Sequence, residues 1–185
     1  MVRIIGITGP SCSGKSTVCR ALEGEEVNRF SLDNFYKPGG KDGNYDHPEA
    51  IKFEEAAKAL EMLKKDQEVE IPVFDKMQNE ITGERTMEPA QLILVDGFMI
   101  LHNDEINKIL DRSVYLDIGK EEQLKRRIKR FKEGELDTDE KYFHEKVYPA
   151  YKKYIEPTKK HADYVIDAER SVEEVIEKVK KLIQI

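Results

Sequence analysis

The residues with the clearest chemical capacity lie near the N-terminus, where Gly9-Pro10-Ser11-Cys12-Ser13-Gly14-Lys15-Ser16-Thr17 fits the spacing G-x-x-x-x-G-K-[ST]. Gly9 and Gly14 allow backbone conformations that turn successive N–H groups toward phosphate oxygens. A helix starting near Lys15 would add unpaired N–H groups and the positive end of its dipole. Lys15 supplies a mobile charge for β- and γ-phosphates, and the Ser16 hydroxyl is a ligand for Mg²⁺. Moving a phosphoryl group needs three more things: a base for the acceptor hydroxyl, a second acid for the metal, and arginines that close over the phosphates. Asp33, Asp96, and the arginines Arg126, Arg127 and Arg130 have the right types and surroundings. A nucleoside triphosphate site for ATP with Mg²⁺ is therefore expected.

These residues need particular elements to hold them. Val2 to Thr8 is a β-branched apolar run before the glycine loop, and Thr17 to Glu23 reads as the first turns of a helix. That context of strand, loop and helix turns a pattern match into a phosphate site. Val27–Leu32 predicts a second strand that ends at Asp33, and Leu92–Val95 a buried parallel strand that ends at Asp96. Val114–Ile118 and Tyr164–Asp167 predict two more. Pro48 opens a helix whose apolar positions repeat through about Lys65. Val69–Phe74 and Glu80–Met87 predict a small exposed side hairpin, and Asp104–Leu110 a short helix. Glu121–Lys132 is a basic helix with Leu124, Ile128 and Phe131 as its apolar face. A helix over Asp139–Ile155 should be bent or interrupted at Pro149. Ser171 with Glu174 forms a capping box for a last helix. Alternating strands and helices predict an α/β fold of the P-loop NTPase type, a parallel sheet with helices on both faces. One domain over 1–185 is expected, with a helical lid at about 121–142.

Composition removes several classes. Charged residues make up 37% and the formal net charge is -6, which disfavours a nucleic-acid partner. No stretch approaches the roughly 18 apolar residues of a membrane span, so no membrane partner is expected. Met1 leads directly into the first strand with no signal-peptide pattern, and Cys12 and Cys19 read as reduced thiols, which together predict a cytoplasmic protein. A GTP switch would read guanine with N-K-x-D, but in Asn107-Lys108-Ile109-Leu110-Asp111 the acid stands one residue late. A motor needs more chain. His47, His102, His144 and His161 show no metal-ligand spacing. Oligomeric state is open between monomer and homo-oligomer.

Beyond the phosphate loop, Ser31-Leu32-Asp33-Asn34-Phe35-Tyr36-Lys37, Tyr45-Asp46-His47-Pro48, Pro72-Val73-Phe74-Asp75, the strand into Asp96-Gly97, Arg126-Arg127-Ile128-Lys129-Arg130 and Pro157 to Asp163 resemble the uridine kinase family in order and spacing. The stretch Phe98 to Tyr154 also resembles the nicotinamide riboside kinases. The resemblance implies transfer of the ATP γ-phosphate to the 5′-hydroxyl of a ribonucleoside, a small-molecule partner, with uridine or cytidine first. It gives Asp33 the role of base, Asp46 the ribose hydroxyls, and Tyr45 a place against the nucleoside. Tyr36, Phe74, Asn79, Arg127 and Tyr142 would complete the substrate side, with Arg127 and Arg130 reaching the ligand from the lid. Two departures bear on the acceptor. Phe74 lacks the hydroxyl of the family's aromatic, and Asn79 stands about where a histidine reads the pyrimidine. Nicotinamide riboside or another small acceptor is the alternative, and a non-catalytic nucleotide switch is the reading from a different class.

Overall fold

The computed structural model describes residues 1–134 and 139–184, so positions 135–138 of the expected lid lie outside the described residues. Its centre is a five-stranded sheet in the order β2-β5-β1-β6-β7, with every pairing parallel. The strands are β1 (Arg3–Thr8), β2 (Val27–Ser31), β5 (Leu92–Asp96), β6 (Arg112–Asp117) and β7 (Tyr164–Asp167). A separate antiparallel hairpin pairs β3 (Val69–Asp75) with β4 (Glu80–Met87).

Alternate residues of the central strands feed two cores, as a sheet covered on both faces requires. Ile5, Ile7, Leu94 and Leu116 pack beneath α1 (Lys15–Leu22) and the final helix (Val172–Ile183). Ile4, Phe30, Ile93 and Val95 face the other way, toward α2 (Phe53–Lys64) and α3 (Asp104–Ile109). The basic helix is α4 (Lys120–Lys132), and the described chain resumes in α5 (Glu140–Tyr142) and α6 (Tyr148–Ala150) before α7 (Val172–Ile183). Ser171 and Glu174 make the expected reciprocal capping box on α7.

Three local expectations change, and one is refined. The second strand stops at Ser31, and Leu32–Phe35 is a tight 3₁₀ turn that contains Asp33. Pro48 begins only a short 3₁₀ turn, Pro48–Ala50. Ile51 then bridges to Tyr36 before α2 starts at Phe53. The α-helical register is interrupted around Pro149, as expected, with only Tyr148–Ala150 in α form there. Wide π turns at Phe143–Val147 and Tyr151–Ile155 flank it, and they relax the hydrogen-bond register around a residue with no N–H. Finally, α4 turns an adjacent face inward, roughly a quarter turn from the apolar stripe. Its buried residues are Gln123 and Arg127, while Phe131 is 43% exposed. The apolar stripe of Leu124 and Ile128 lines a shallow outer groove with Lys125 and Lys129. Periodicity chooses a face only where a hydrophobic neighbour awaits it; here the guanidinium of Arg126 meets the phosphate loop instead.

Candidate active site

Strand register gathers the charged residues at one sheet edge. Ile7 of β1 and Ser31 of β2 both stand opposite Asp96 of β5, so the glycine loop, Asp33 and Asp96 leave the sheet side by side. This is the carboxyl edge, where open parallel sheets gather ligands.

The loop from Gly9 folds tightly. Gly9 has φ 135°, and a Cβ there would lie 2.2 Å from the Leu116 carbonyl oxygen, so only glycine fits. Cys12 takes φ 65°, a left-handed conformation uncommon for a side chain of its kind and typical of strained ligand loops. Gly14 caps α1 at φ 94°. Ser13 N–H donates to Pro10 O at 3.2 Å, and Lys15 Nζ bends back to the same carbonyl at 2.7 Å. Burial pulls the Lys15 pKa below 10.5, against the opposing charges of Asp96 and Asp33. The Ser13 hydroxyl is buried with no partner, an orphan that suits a loop built to meet an acceptor-rich anion.

Asp96 is 2% exposed and forms an ion pair with Arg29, whose Nε and Nη2 both donate to Oδ2. A hard cation such as Mg²⁺ takes few protein oxygens and completes its shell with phosphates and water. The Ser16 hydroxyl and Asp96 Oδ1 fit that need. No group of three or more His, Cys, Asp or Glu residues able to hold a metal occurs among the described residues.

Asp33 is 30% exposed at its side chain, and its Oδ2 accepts from Lys76 Nζ at 2.5 Å. Burial would raise its pKa, but the charge and hydrogen bond of Lys76, with help from Lys15 and Arg29, hold it below 3.8. Next to it Tyr36, Tyr45 and Phe74 form a triangle of rings with centroids 5.2–6.0 Å apart. Burial, with Asp33 and Asp46 nearby, pushes the Tyr36 phenol well up. Asn79, at the hairpin tip, accepts from Gly39 N at 2.8 Å and from the Tyr45 hydroxyl, so its carbonyl is committed. Burial raises Asp46 to about 6, opposed by Arg127. Arg127, itself 6% exposed, lies 5.8 Å from the Tyr142 ring centroid.

The arginines of α4 divide. Arg130 Nη1 lies 3.9 Å from Cys12 Sγ, against the loop. Arg126 is largely a strut: Nε binds Glu122 at 2.8 Å and Nη2 the Ala168 carbonyl at 2.8 Å, leaving Nη1 near Cys12 O at 3.4 Å. Thr17 faces solvent on α1. Sequence reasoning passed over Arg29 and Lys76. Arg29 carried a signal, a lone charge inside the Val27–Leu32 run; Lys76, in a polar turn, carried none.

A phosphate loop at the carboxyl edge of a parallel sheet, with an acid beside it and basic side chains across it, defines a P-loop phosphotransferase. The model of the Phosphoribulokinase / Uridine kinase family matches residues 4–174, and the chain belongs to that family. Membership makes it a phosphotransferase with an alcohol group as acceptor. The chain is 34% identical over 178 residues to a uridine kinase of Clostridium tetani, covering 88% of this chain and 85% of that protein. It is 31% identical over 179 residues to uridine kinase-like protein 3 of Arabidopsis thaliana, where it spans 88% of itself but 38% of the longer relative. The structure titled a possible uridine kinase from Bacillus stearothermophilus has the same fold, with a TM-score of 0.68, 22% identity, and 90% and 89% of the two chains covered. No described helix is long and apolar enough to cross a membrane.

Proposed function

We propose that the protein is an ATP-dependent nucleoside kinase that phosphorylates the 5′-hydroxyl of a ribonucleoside, with uridine and cytidine as first acceptors. The observation that carries this reading is the position of Asp33, with the phosphate-loop lysine on one side and the ring triangle of Tyr36, Tyr45 and Phe74 on the other. The names of the relatives support the same choice.

The nucleoside lies against the exposed side of the ring cluster, at Tyr45, and Asp46 accepts from the ribose hydroxyls. Asp33 orients the acceptor hydroxyl. As that oxygen bonds to the γ-phosphorus, its proton passes to Asp33 and the bond to the β,γ-bridging oxygen breaks, its electron pair leaving with ADP. Lys15 exchanges the Pro10 carbonyl for the β- and γ-phosphates, while loop N–H groups from Gly9 to Thr17 hold the rest. Arg127 and Arg130 bear on the transferring group from α4, with Arg126 fastening that helix. Ser16 and Asp96 would hold Mg²⁺, which would supply charge to neutralise the phosphates.

One observation favours a second acceptor. Phe74 has no hydroxyl and the Asn79 carbonyl is already committed, so the box offers ring faces beside the Asp46 carboxylate rather than polar base readers. Aromatic faces attract a cationic ring such as that of nicotinamide riboside. Release of ADP from ATP and Mg²⁺, measured with uridine, cytidine and nicotinamide riboside, tests both readings, with Asp33→Asn as the blank. Acceptor-dependent ADP release from wild type, lost about 10²–10⁴-fold in Asp33→Asn while ATP affinity holds, is the expected result. No acceptor-dependent release with any member would leave a nucleotide-binding switch as the better account.

A further inference from the structure

The hairpin tip is fastened at two points. Asn79 ties it to the loop carrying Gly39 and Tyr45, and Lys76 ties it to Asp33. Lys76 is 59% exposed, on a turn that Asp75 shapes by accepting from Met77 N and Gln78 N at 2.8 and 3.0 Å. Its ammonium also lies 5.8 Å from the Tyr36 ring centroid, so it spans from the ring triangle to the carboxylate.

We propose that Lys76 is a positioning residue for phosphoryl transfer: reaching from the hairpin tip to one oxygen of Asp33, it aims the other at the acceptor hydroxyl. The inference rests on the reading of Asp33 as base. The geometry suits it. Lys76 occupies Oδ2, leaving Oδ1 to accept the acceptor's hydroxyl hydrogen. When Oδ1 takes that proton, the carboxylate charge facing the ammonium disappears, so the pair resists protonation until the oxygen–phosphorus bond is well formed.

Other charged groups also face Asp33. Lys15 approaches from α1, Arg29 from β2, Asp46 from the loop that follows, and the Tyr36 phenol from its own segment. A direct reading of Asp33 is therefore needed. Carboxyl NMR titration, with the signal assigned by its loss in Asp33→Asn, would follow Asp33 in wild type, Lys76→Met and Lys76→Arg without substrate. Uridine phosphorylation with ATP and Mg²⁺ would be followed across the same pH range. Lys76→Met should raise the Asp33 midpoint by about one pH unit, the low end of what a close opposite charge does to a carboxylate. The acidic limb of kcat, which reports the substrate-bound enzyme, should move with it, and kcat should fall more than KM changes. Lys76→Arg should restore both. An unchanged Asp33 midpoint in Lys76→Met overturns the inference, as does a moved midpoint with unaltered kinetics. Crippled Asp33→Asn beside an unmoved midpoint removes only the inference; Asp33→Asn with wild-type kcat removes the base assignment itself.

Discussion

Arg29 and Asp96 face each other from neighbouring strands, with Nε and Nη2 of the arginine 3.0 and 2.5 Å from a single carboxylate oxygen. Asp96 is 2% exposed and Arg29 17%, so water does little to screen the pair. Removing one partner leaves a buried charge uncompensated. Arg29→Met should lose roughly 3 kcal/mol, read as a fall in Tm of roughly 6–12 °C. Adding Asp96→Asn to that variant should recover more than half of the loss. A Tm within a degree of wild type for Arg29→Met would show that the carboxylate finds its compensation elsewhere.

Lys15 is expected to behave differently, because it is buried against a carbonyl and its charge serves the reaction more than the fold. Lys15→Ala should reduce kcat by at least about 10²-fold, as removal of a donor aimed at developing charge does. Thermal unfolding should be unchanged or slightly raised, since a desolvated ammonium has been taken out. Wild-type kcat in a folded Lys15→Ala protein would remove the phosphate-transfer mechanism.

The two faces of α4 make a third comparison. Arg127→Ala and Arg130→Ala should each impair kcat by tenfold or more, on the order of a charge-assisted hydrogen bond. Lys125→Ala, at a side chain 79% exposed and paired with Glu122, should lie within twofold of wild type. Equal small effects in steady-state kinetics would reduce the helix to a charged surface.

Asp46 sets function against stability. Its pKa rises from 3.8 to about 6 on folding, through burial. Between those values the folded chain binds more protons than the unfolded one, so the contribution of this group to stability declines as pH rises from about 4 through 6. Asp46→Asn should therefore stabilise the protein at pH 7, by roughly 1–3 kcal/mol after allowance for partial exposure. The gain should disappear by pH 4. The same variant should raise the nucleoside KM tenfold or more. Denaturant unfolding at pH 4 and 7 would check the first part, and a KM below twofold of wild type would show that Asp46 does not hold the acceptor.

The strands were plain in the sequence because β-branched runs such as Leu92–Val95 have few other uses. The phosphate loop was plain because its geometry tolerates so few residues. What stayed hidden depends on partners far apart in the chain. Lys76 and Asp33 are 43 residues apart and meet only because the hairpin folds over the 3₁₀ turn. The inward face of α4 was misread because Leu124, Ile128 and Phe131 repeat as a core stripe would. Arg127 goes inward in their place, beside Asp46 and the Tyr142 ring. The π turns around Pro149 leave no mark in composition, since they answer a missing donor with a change of register rather than of residue type.

The hairpin stands apart from the sheet, and seven of the eight residues of β4 are exposed. Substitutions on such a surface generally change stability by no more than about 0.5 kcal/mol. Variation can therefore accumulate along this arm while the strands that hold the phosphate loop stay fixed. A lineage could trade one acceptor for another by editing the tip around Lys76 and Asn79, leaving its handling of the phosphate donor intact. Grafting the tip of a relative onto this chain would repeat that history in a single step.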